Sequence, residues 1–490
     1  MVDAILVNPK GFDLINDQTL PFGLLYTASY AVKDFDIKII DKRVDNDWEK
    51  KLVSCLKENP LAVGITCMTG PMILDALSIS KIVHENSSAK VVWGGIHPSL
   101  EPLKTLKNEL IDMVIVGEGE ITFHELLKSL KKGLFLDNVD GLVYKDKDGL
   151  IKENKPRKLI MNLDEIPRLP YNLINMEKYV QNKEGRGGKR SITFFTSRGC
   201  PHKCIYCYNA KFNKSFWRQM SSQKVLDEIK YVIDTYNLKN LFFLDDNFFV
   251  NTKRVEEIAN GIHEQYGGTG FTWDVLGAQI STLKNMDIDL LRRLYDYGCR
   301  SMLIGVEAGN QRMMDLIKKG ITIEQILKVN KNLYDSKIKA YYSFMSGFPT
   351  ETDQDRMDSI KLMLRLKGDN PDCNVGTMKP AIVYPGTDIY EFALQHGFKP
   401  PEKLEDWAGV TWGNYTNINL PWIDKNTRKK LVHIYYYTLL SDPDHLYINS
   451  RLFKLGAYLM KDIAKYRLRN QNFMFPIESK AIHFVQEHFM

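Results

Sequence analysis

Short apolar runs alternate with helical patterns along residues 1–150. The pattern predicts strands at residues 4–8, 37–40, 62–66, 90–93 and 112–116. The stretches between them carry helical periodicity, beginning with a helix at 21–31. Strands that alternate with helices are typical of a doubly wound parallel sheet, which binds ligands at the carboxyl ends of its strands.

A second strand–helix series follows a turn-rich stretch that ends near residue 190. Residues 221–236 predict an amphipathic helix with Val225, Ile229, Val232 and Ile233 on one face. Strands are predicted at 191–196, 240–244, 302–304, 340–345 and 379–383. About six units with polar residues after the strand ends indicate a partial (β/α) barrel.

The chain beyond about residue 396 is rich in aromatic residues. They include Trp407, Trp412, Trp422 and the tyrosines at 435–437. Such stripes are more typical of helix packing than of a binding wall. We nevertheless expect this mainly helical segment to cover the mouth of the barrel and to select the substrate.

Composition excludes several classes of protein. The 490 residues are 44% hydrophobic and 26% charged, as in ordinary globular proteins. The formal net charge of +6 is small and the basic residues form no long run, so we expect no nucleic-acid partner. We also expect neither a membrane span nor a signal peptide. Cys55, Cys67, Cys299 and Cys373 are isolated, as reduced core cysteines are, which favours the cytoplasm.

The remaining cysteines are clustered. Cys200, Cys204 and Cys207 have the spacing C-x3-C-x2-C and follow the predicted strand at 191–196. Three thiolates can bind three irons of a [4Fe–4S] cluster and leave the fourth iron open. Zinc, with His202 as a fourth ligand, is an alternative, although zinc motifs usually contain two pairs of ligands. Three buried structural cysteines would leave the clustering unexplained.

This loop, with Tyr206 before its last cysteine, resembles that of the radical S-adenosylmethionine (SAM) enzymes. The resemblance implies that the open iron binds the amino and carboxylate groups of SAM, whose reductive cleavage gives a 5′-deoxyadenosyl radical. Glu307 in the stretch 305–309 matches the carboxylate that contacts the ribose, although a surface salt bridge is an alternative. The stretch 347–352 resembles the motif that flanks the adenine. The residues implied for SAM are Tyr206, Arg218, Glu307, Ser343, Gly347 and Pro349.

Two charged features keep more than one interpretation. Trp217 and Arg218 resemble the R-x-R-S element of the superfamily, but Met220 replaces its second arginine. Arg218 can neutralise a carboxylate of SAM or take part in a structural ion pair. Asp245 and Asp246, after the strand at 240–244, can shape the site or cap a helix.

Glycine-containing loops follow the strands at 62–66, 90–93 and 112–116. Each glycine alone fits a turn, but several at one edge of a sheet let the backbone approach a large, flat ligand. No G-x-G-x-x-G follows the first strand, which disfavours a dinucleotide. The order T-x-M-T, G-G-x-H-P, G-E-G-E resembles the cobalamin-binding domain of B12-dependent radical SAM enzymes. The residues implied for cobalamin are Thr66, Met68, Thr69, Gly94, Gly95, His97, Pro98, Gly117, Glu118, Gly119 and Glu120.

The cobalt ligand and the two glutamates have alternatives. The D-x-H-x-x-G motif, whose histidine ligates cobalt in many cobalamin proteins, is absent from the sequence. The resemblance therefore implies base-off cobalamin without a histidine ligand, and His97 is the alternative candidate. Glu118 and Glu120 also fit the N-terminus of a helix, whose dipole favours acidic residues.

The resemblance implies four segments. They are a Rossmann-like cobalamin domain at 1–150, a linker at 151–187, a radical SAM partial barrel at 188–395 and a capping domain at 396–490. The implied activity is that of a class B methyltransferase, which C-methylates an unactivated carbon with one SAM for the radical and another to remethylate cobalamin. Oxidative cyclisation or rearrangement without methylation, and a cobalamin- or redox-sensing protein with a structural cluster, are alternatives.

The partners follow from the same resemblance. The low-potential steps imply a ferredoxin or flavodoxin as electron donor, and the oxygen-sensitive cluster implies anaerobic conditions. The substrate class stays open among peptides, lipids and small molecules, and no residue is assigned to catalysis.

Overall fold

The computed structural model describes residues 2–11, 19–182, 189–410, 415, 420–443, 451–473 and 476–481. Two large sheets with helices between their strands confirm the predicted α/β class. In this described part, no helix is both long and apolar enough to cross a membrane. Trp412 and residues 183–188, which precede the predicted cluster strand, lie outside the described residues.

The first sheet has seven strands in the order β2-β1-β3-β4-β5-β6-β7. They are β1 (Ala4–Asn8), β2 (Ile37–Asp41), β3 (Ala62–Thr66), β4 (Lys90–Gly94), β5 (Met113–Ile115), β6 (Leu142–Lys145) and β7 (Ile151–Glu153). Strands β1 to β5 are parallel, and β6 and β7 extend one edge in antiparallel pairing. The predicted strands are present, and the sheet continues through Glu153, past the expected boundary at 150.

Helices cover both faces of this sheet. They are α1 (Phe22–Ala31), α2 (Trp48–Leu56), α3 (Met72–Asn86), α4 (Ile96–Leu100), α5 (Pro102–Leu106) and α6 (Gly119–Lys132). Alternate residues of β1 enter two different buried clusters, with Ala4 and Leu6 in one and Ile5 and Val7 in the other. Burial on both faces explains why this strand is a continuous apolar run.

The second sheet has six parallel strands in the order β15-β14-β13-β12-β11-β8. They are β8 (Ser191–Phe194), β11 (Asn240–Phe243), β12 (Thr272–Ala278), β13 (Cys299–Glu307), β14 (Lys339–Ser346) and β15 (Asn374–Pro380). This sequential order is that of the predicted partial barrel. A separate antiparallel pair, β9 (Ser197–Arg198) and β10 (Arg218–Gln219), brackets the cysteine loop.

The helices of this second part follow its strands. They are α7 (Asn209–Phe212), α8 (Ser222–Tyr236), α9 (Thr252–Tyr266), α10 (Ile280–Leu283), α11 (Ile288–Asp296), α12 (Gln311–Leu316), α13 (Ile323–Asp335), α14 (Asp353–Asp369) and α15 (Asp388–Gln395). Helix α8 confirms the predicted amphipathic helix, because Val225, Ile229, Val232 and Ile233 are all buried. The side chain of Ser221 caps it by accepting a hydrogen bond from the backbone N–H of Lys224.

Two strands differ from the prediction. The strand predicted at 379–383 is wrong, because β15 begins at Asn374 and ends at Pro380. Proline has no N–H for the ladder, so the apolar residues after it do not extend the strand. The sequence also missed β12, whose Asp274 and Gly277 interrupt the apolar pattern.

The C-terminal part contains α16 (Lys425–Ser441) and α17 (Arg451–Asn470), which pack against each other. The tyrosines at 435–437 are buried, which confirms the helix-packing interpretation. Trp422 instead donates a hydrogen bond from Nε1 to the carbonyl of Gly347, at 2.9 Å. This segment therefore contacts the end of β14, at the edge where SAM is expected.

Candidate functional site

A cavity of about 490 Å³ lies between the two sheets at the carboxyl ends of their strands. The first sheet contributes the loops after β3, β4 and β5 together with one face of α1. The second contributes residues around the cysteine loop, among them Phe195, Arg198, Tyr208 and Asp246. The cavity has the size of a ligand or cofactor site and lies where the strand-end rule for such sheets expects one.

Backbone forms part of the cavity wall. A Cβ atom added at Gly94 or Gly117 would meet no other atom within 4 Å. Gly117 also has a φ of +84°, a backbone conformation that residues other than glycine rarely adopt. Gly94 and Gly117 therefore leave open space at this edge of the sheet, which a large planar ligand such as a corrin can occupy.

The predicted cobalamin residues divide into two groups. Those that line the cavity are Thr66, Gly94, Gly95, Gly117, Glu118, Gly119 and Glu120. Met68, Thr69, His97 and Pro98 are not part of its lining. His97 is 1% exposed, and its Nδ1 lies 2.9 Å from Oγ1 of Thr69. Burial lowers the pKa of His97 to about 4, and its ring packs edge-on against Trp407. The structure thus places His97 against the C-terminal part rather than toward the cavity.

The cysteine loop starts at Gly199, after β9, and ends at α7. Cys200 and Cys204 are buried, Cys207 is half-buried, and all have free thiols. Burial raises the pKa of Cys200 to about 11 and that of Cys207 to about 12. Thiolates at this place therefore need a compensating positive charge, which iron ions supply.

His202, the possible fourth ligand of a zinc ion, has another partner in the structure. Among the described residues, no three His, Cys, Asp or Glu side chains converge on a position for a single metal ion. The Nε2 atom of His202 lies 2.7 Å from Oγ of Ser281, so this ring has another partner. The cysteines of an iron–sulfur cluster each bind a different iron, so they do not have to converge on one point.

Asp245 and Asp246 have different surroundings. Asp245 is buried and accepts hydrogen bonds from the backbone N–H and hydroxyl groups of Thr196 and Ser197. Asp246 lines the cavity and accepts a bond from the backbone N–H of Gly199 at 3.0 Å. Burial raises the pKa of Asp246, and hydrogen bonds from the Asn209 and Tyr208 side chains oppose that shift. Asp245 shapes the backbone before the loop, whereas Asp246 joins the two ends of the loop.

A second polar group lies at the ends of β13 and β14. Oγ of Ser343 is 3.3 Å from both carboxylate oxygens of Glu307. The ammonium group of Lys319 lies 3.4 Å from Oε1 of Glu307 and 3.1 Å from the hydroxyl of Tyr206. Glu307 has a φ of +74°, an unfavourable conformation for a residue with a side chain. Such strain, held by the surrounding structure, is common at functional sites.

The predicted adenine motif begins at the same edge. Gly347 has a φ of +92°, and its backbone N–H donates to the carboxylate of Glu351. Glu351 also accepts a 2.7 Å hydrogen bond from Oγ of Ser346. Pro349 is buried next to Phe348, whose ring lies 6.1 Å from that of Tyr206. The structure therefore places Tyr206, Glu307, Ser343, Gly347 and Pro349 at one edge of the second sheet.

Arg218 lies apart from that group. Its Nη1 atom is 2.8 and 2.9 Å from the two carboxylate oxygens of Glu118, in the first sheet's part of the chain. Arg198 also binds Glu118, at 2.6 Å. Although burial opposes ionisation, the two arginines hold the pKa of Glu118 below its ordinary value. The sequence left two roles open for Arg218, a contact with the SAM carboxylate and a structural ion pair. The structure shows the ion pair.

Sequence reasoning did not single out Arg198 or Lys319. In the sequence, Arg198 lies in a turn before the cysteines. Lys319 follows another lysine, a pattern that is typical of a solvent-exposed surface. Their partners are distant in sequence: Glu118 is 80 residues from Arg198, and Tyr206 is 113 residues from Lys319. The proximity of Arg198 to Cys200 was the only local signal.

Comparisons with known proteins agree with this geometry. A B12 binding domain model matches residues 15–127, and a radical SAM superfamily model matches residues 194–363. An uncharacterised methyltransferase of Pyrococcus horikoshii is 32% identical over 403 residues, covering 81% of this chain and 82% of the relative. The anaerobic magnesium-protoporphyrin IX monomethyl ester cyclase of Synechocystis sp. is 27% identical over 275 residues, covering 56% of this chain and 53% of the relative.

A solved structure has the same fold. OxsB, a cobalamin-dependent SAM radical enzyme with aqua-cobalamin bound, superposes with a TM-score of 0.73 at 18% identity, covering 99% of this chain and 76% of OxsB. Fold, site and relatives together define an enzyme with a B12-binding part and a radical SAM part. The chain belongs to the cobalamin-dependent radical SAM family. Its cofactors are a [4Fe–4S] cluster, SAM and cobalamin, and the family's chemistry requires a reductant.

Proposed function

We propose that this enzyme is a methyltransferase that transfers a methyl group to an unactivated carbon. One SAM is spent on the 5′-deoxyadenosyl radical and a second renews the methyl donor. The observation that carries the proposal is a cavity shared by the two sheets, with the glycine loops after β4 and β5 on one side and Tyr208 and Asp246 on the other. A substrate held there lies within reach of both cofactors, and closure against water protects a radical.

The proposed assignment of residues follows the two groups described above. Cys200, Cys204 and Cys207 bind the cluster. Tyr206, Glu307, Ser343, Gly347 and Pro349 contact SAM, and Lys319 joins them. The ribose hydroxyls fit Glu307 because a carboxylate accepts two hydrogen bonds side by side. The cavity-lining residues of the glycine loops hold cobalamin, whereas Met68, Thr69, His97 and Pro98 support these loops from behind.

The proposed division of the chain keeps the four predicted segments, 1–150 for the cobalamin domain, 151–187 for the linker, 188–395 for the barrel and 396–490 for the capping domain, except that β7 at 151–153 belongs with the first segment. Contacts of Trp422 and Tyr415 with residues 346–347 support a capping role for the last segment. A ferredoxin or flavodoxin is the proposed electron donor. A cytoplasmic location is proposed because the described cysteines are free thiols and the cluster is oxygen-sensitive.

The test does not need the substrate. Reconstituted enzyme is incubated anaerobically with a low-potential reductant and SAM that carries a trideuterated methyl group. The proposal predicts S-adenosylhomocysteine together with label on cobalamin, and separately 5′-deoxyadenosine. Formation of 5′-deoxyadenosine without any transfer of label to cobalamin would contradict methyl transfer.

Cyclisation or rearrangement is the second candidate function, and the similarity to the Synechocystis cyclase favours it. Both candidates use the same cofactors, so the product distinguishes them. A methylase adds the mass of the labelled methyl group to its product, whereas a cyclase does not. A sensing protein, the third alternative, would form no 5′-deoxyadenosine under turnover conditions.

A further inference from the structure

A chain of hydrogen-bonded polar side chains, most of them buried, connects the cysteine loop to the cobalamin loop. It begins at Asp246, which accepts hydrogen bonds from the Gly199 N–H and from the side chain of Asn209. Nδ2 of Asn213 donates to Oδ1 of Asn209 at 2.8 Å. Nη2 of Arg218 then donates to Oδ1 of Asn213 at 2.6 Å. The chain therefore runs without a break from the loop of Cys200 to Arg218.

Arg218 continues this chain into the first sheet's part of the molecule. Its Nη1 atom binds both oxygens of Glu118 and donates to the carbonyl of Ile160 at 2.8 Å. Arg198, one residue before Gly199, binds Glu118 and Glu120 through its two Nη atoms, each at 2.6 Å. Two arginines and two glutamates thus form one continuous charge cluster between the loop of Gly117 and the start of the cysteine loop.

The order of donors and acceptors allows one arrangement. The Arg218 guanidinium only donates, so Asn213 must turn its oxygen toward it and its NH₂ group toward Asn209. Asn209 accepts that bond with its oxygen, so its own NH₂ group faces Asp246. Rotation of either amide would place donor against donor. The charges at the two ends therefore orient every group between them.

Burial makes this arrangement costly to disturb. Arg218 is 3% exposed, and Asn209, Asn213 and Glu118 are all buried. An apolar interface would hold the two parts together at least as well, since buried ion pairs contribute little net stability. Such pairs are best attested as devices that specify one relative position of the elements they join.

We propose that this network sets the position of the cobalamin loop relative to the cysteine loop, with Arg218 as its central positioning residue. The inference rests on the proposed placement of cobalamin and the cluster, and it is independent of whether the product is methylated. Arg218 touches neither cofactor in this assignment. It acts through Glu118 on one side and through Asn213 on the other.

The test measures the distance between the cofactors in the holoenzyme. Cob(II)alamin and the reduced cluster are both paramagnetic, so pulsed EPR reports their dipolar coupling. Wild-type protein is expected to give one narrow distance distribution. Arg218→Met is expected to give a broadened or shifted distance distribution instead. Its iron and cobalamin content should equal that of the wild type. Asn213→Leu interrupts the chain of hydrogen bonds without leaving a charge unpaired. If Arg218→Met does not fold, the distance distribution of Asn213→Leu tests the inference.

Arg157→Met is the matched control. Arg157 also forms an ion pair between a mostly buried guanidinium and a partly exposed carboxylate, that of Glu125, but both partners lie on the first sheet's side of the cavity. The distance distribution of Arg157→Met is expected to equal that of the wild type. Wild-type distributions in Arg218→Met or Asn213→Leu would overturn the inference. Wild-type protein that retained no cobalamin would instead refute the placement of the cofactor, and this inference with it.

Discussion

Lys319 is 3% exposed, and its ammonium group has the Glu307 carboxylate as its charged neighbour at 3.4 Å. A buried lysine of this kind needs a compensating charge, and Glu307 supplies it. The same carboxylate faces Ser343 and is the proposed acceptor for the ribose hydroxyls of SAM. One residue thus neutralises a buried cation and offers acceptor oxygens to a ligand.

Replacement of Glu307 by Gln is expected to weaken SAM binding about tenfold or more. A hydrogen bond to a charged group is worth about 1.5–3 kcal/mol, and about 1.4 kcal/mol is a factor of ten in affinity. Equilibrium binding of SAM to the reconstituted protein measures the change. Glu324→Gln, which alters an exposed carboxylate on α13, is the control and should bind SAM normally. Equal affinity of Glu307→Gln and wild type would remove Glu307 from the SAM site.

Gly199, directly before Cys200, tolerates no side chain. Its φ is +86°, and an added Cβ would lie 2.0 Å from the carbonyl oxygen of Phe216. Gly199→Ala should therefore displace the cysteine loop and lower the iron content after reconstitution, while cobalamin is retained. Gly409→Ala is the control, because a Cβ there meets nothing within 4 Å. Normal iron content in Gly199→Ala would show that the loop can shift without losing the cluster.

Asp355 makes a pH-dependent contribution to stability. Although burial opposes its charge, hydrogen bonds from Arg312, Thr352 and Asn310 hold its pKa well below the ordinary 3.8. A depressed carboxylate pKa stabilises the fold above the ordinary pKa, and this stability is lost as the pH falls through the folded-state value. Asp355 also completes the capping box of α14 with Thr352.

Asp355→Asn is expected to lower the stability of the iron-free protein at pH 7 by about 1.5–3 kcal/mol, the usual value of a hydrogen bond to a charged group, because the charged bond with Arg312 is lost. Its stability should also fall less steeply than that of the wild type as the pH drops below about 4. Urea unfolding at a series of pH values measures both effects. Asp289→Asn, at an exposed position in the first turn of α11, should follow the wild-type curve. Parallel curves for Asp355→Asn and wild type would contradict the assigned pKa.

At the scale of elements, a substitution in the loop after β4 tests the proposed cobalamin site. A side chain at Gly94 would enter the cavity without strain, because its φ is not positive and a Cβ meets nothing within 4 Å. Gly94→Leu should therefore fold and bind iron normally, yet lose cobalamin by steric exclusion. Gly368→Leu, at an exposed position of α14 with equally open surroundings, should keep both cofactors. Retention of cobalamin by Gly94→Leu would place the corrin elsewhere.

Strands with continuous apolar runs could be predicted from the sequence, and strands with mixed composition could not. Strand β1 is buried on both faces, so its pattern shows directly in the residues. In β12, a Cβ at Gly277 would lie 1.7 Å from the carbonyl oxygen of Asp245, so packing between neighbouring strands requires glycine there. That requirement depends on a tertiary contact, and no local pattern reports it.

At the scale of the whole molecule, the same limit applies to the site. The cysteine spacing and the glycines after β3, β4 and β5 are local signals, and they led to the cluster loop and the cavity. The partners of Arg218 are not local, since Glu118 is 100 residues away. Only the arrangement of the two sheets shows that this arginine joins them. Its resemblance to the R-x-R-S element suggested contact with SAM instead.

The central claim is that one chain holds both cofactors at facing strand ends. Anaerobic reconstitution with iron, sulfide and hydroxocobalamin, followed by desalting and assay of iron and cobalt, tests it most directly. The account predicts about four irons and one cobalamin per chain. A variant with Cys200, Cys204 and Cys207 all changed to Ala should lose the iron and keep the cobalt. About four irons without cobalamin, or cobalt that disappears together with the cysteines, would contradict the two-site account.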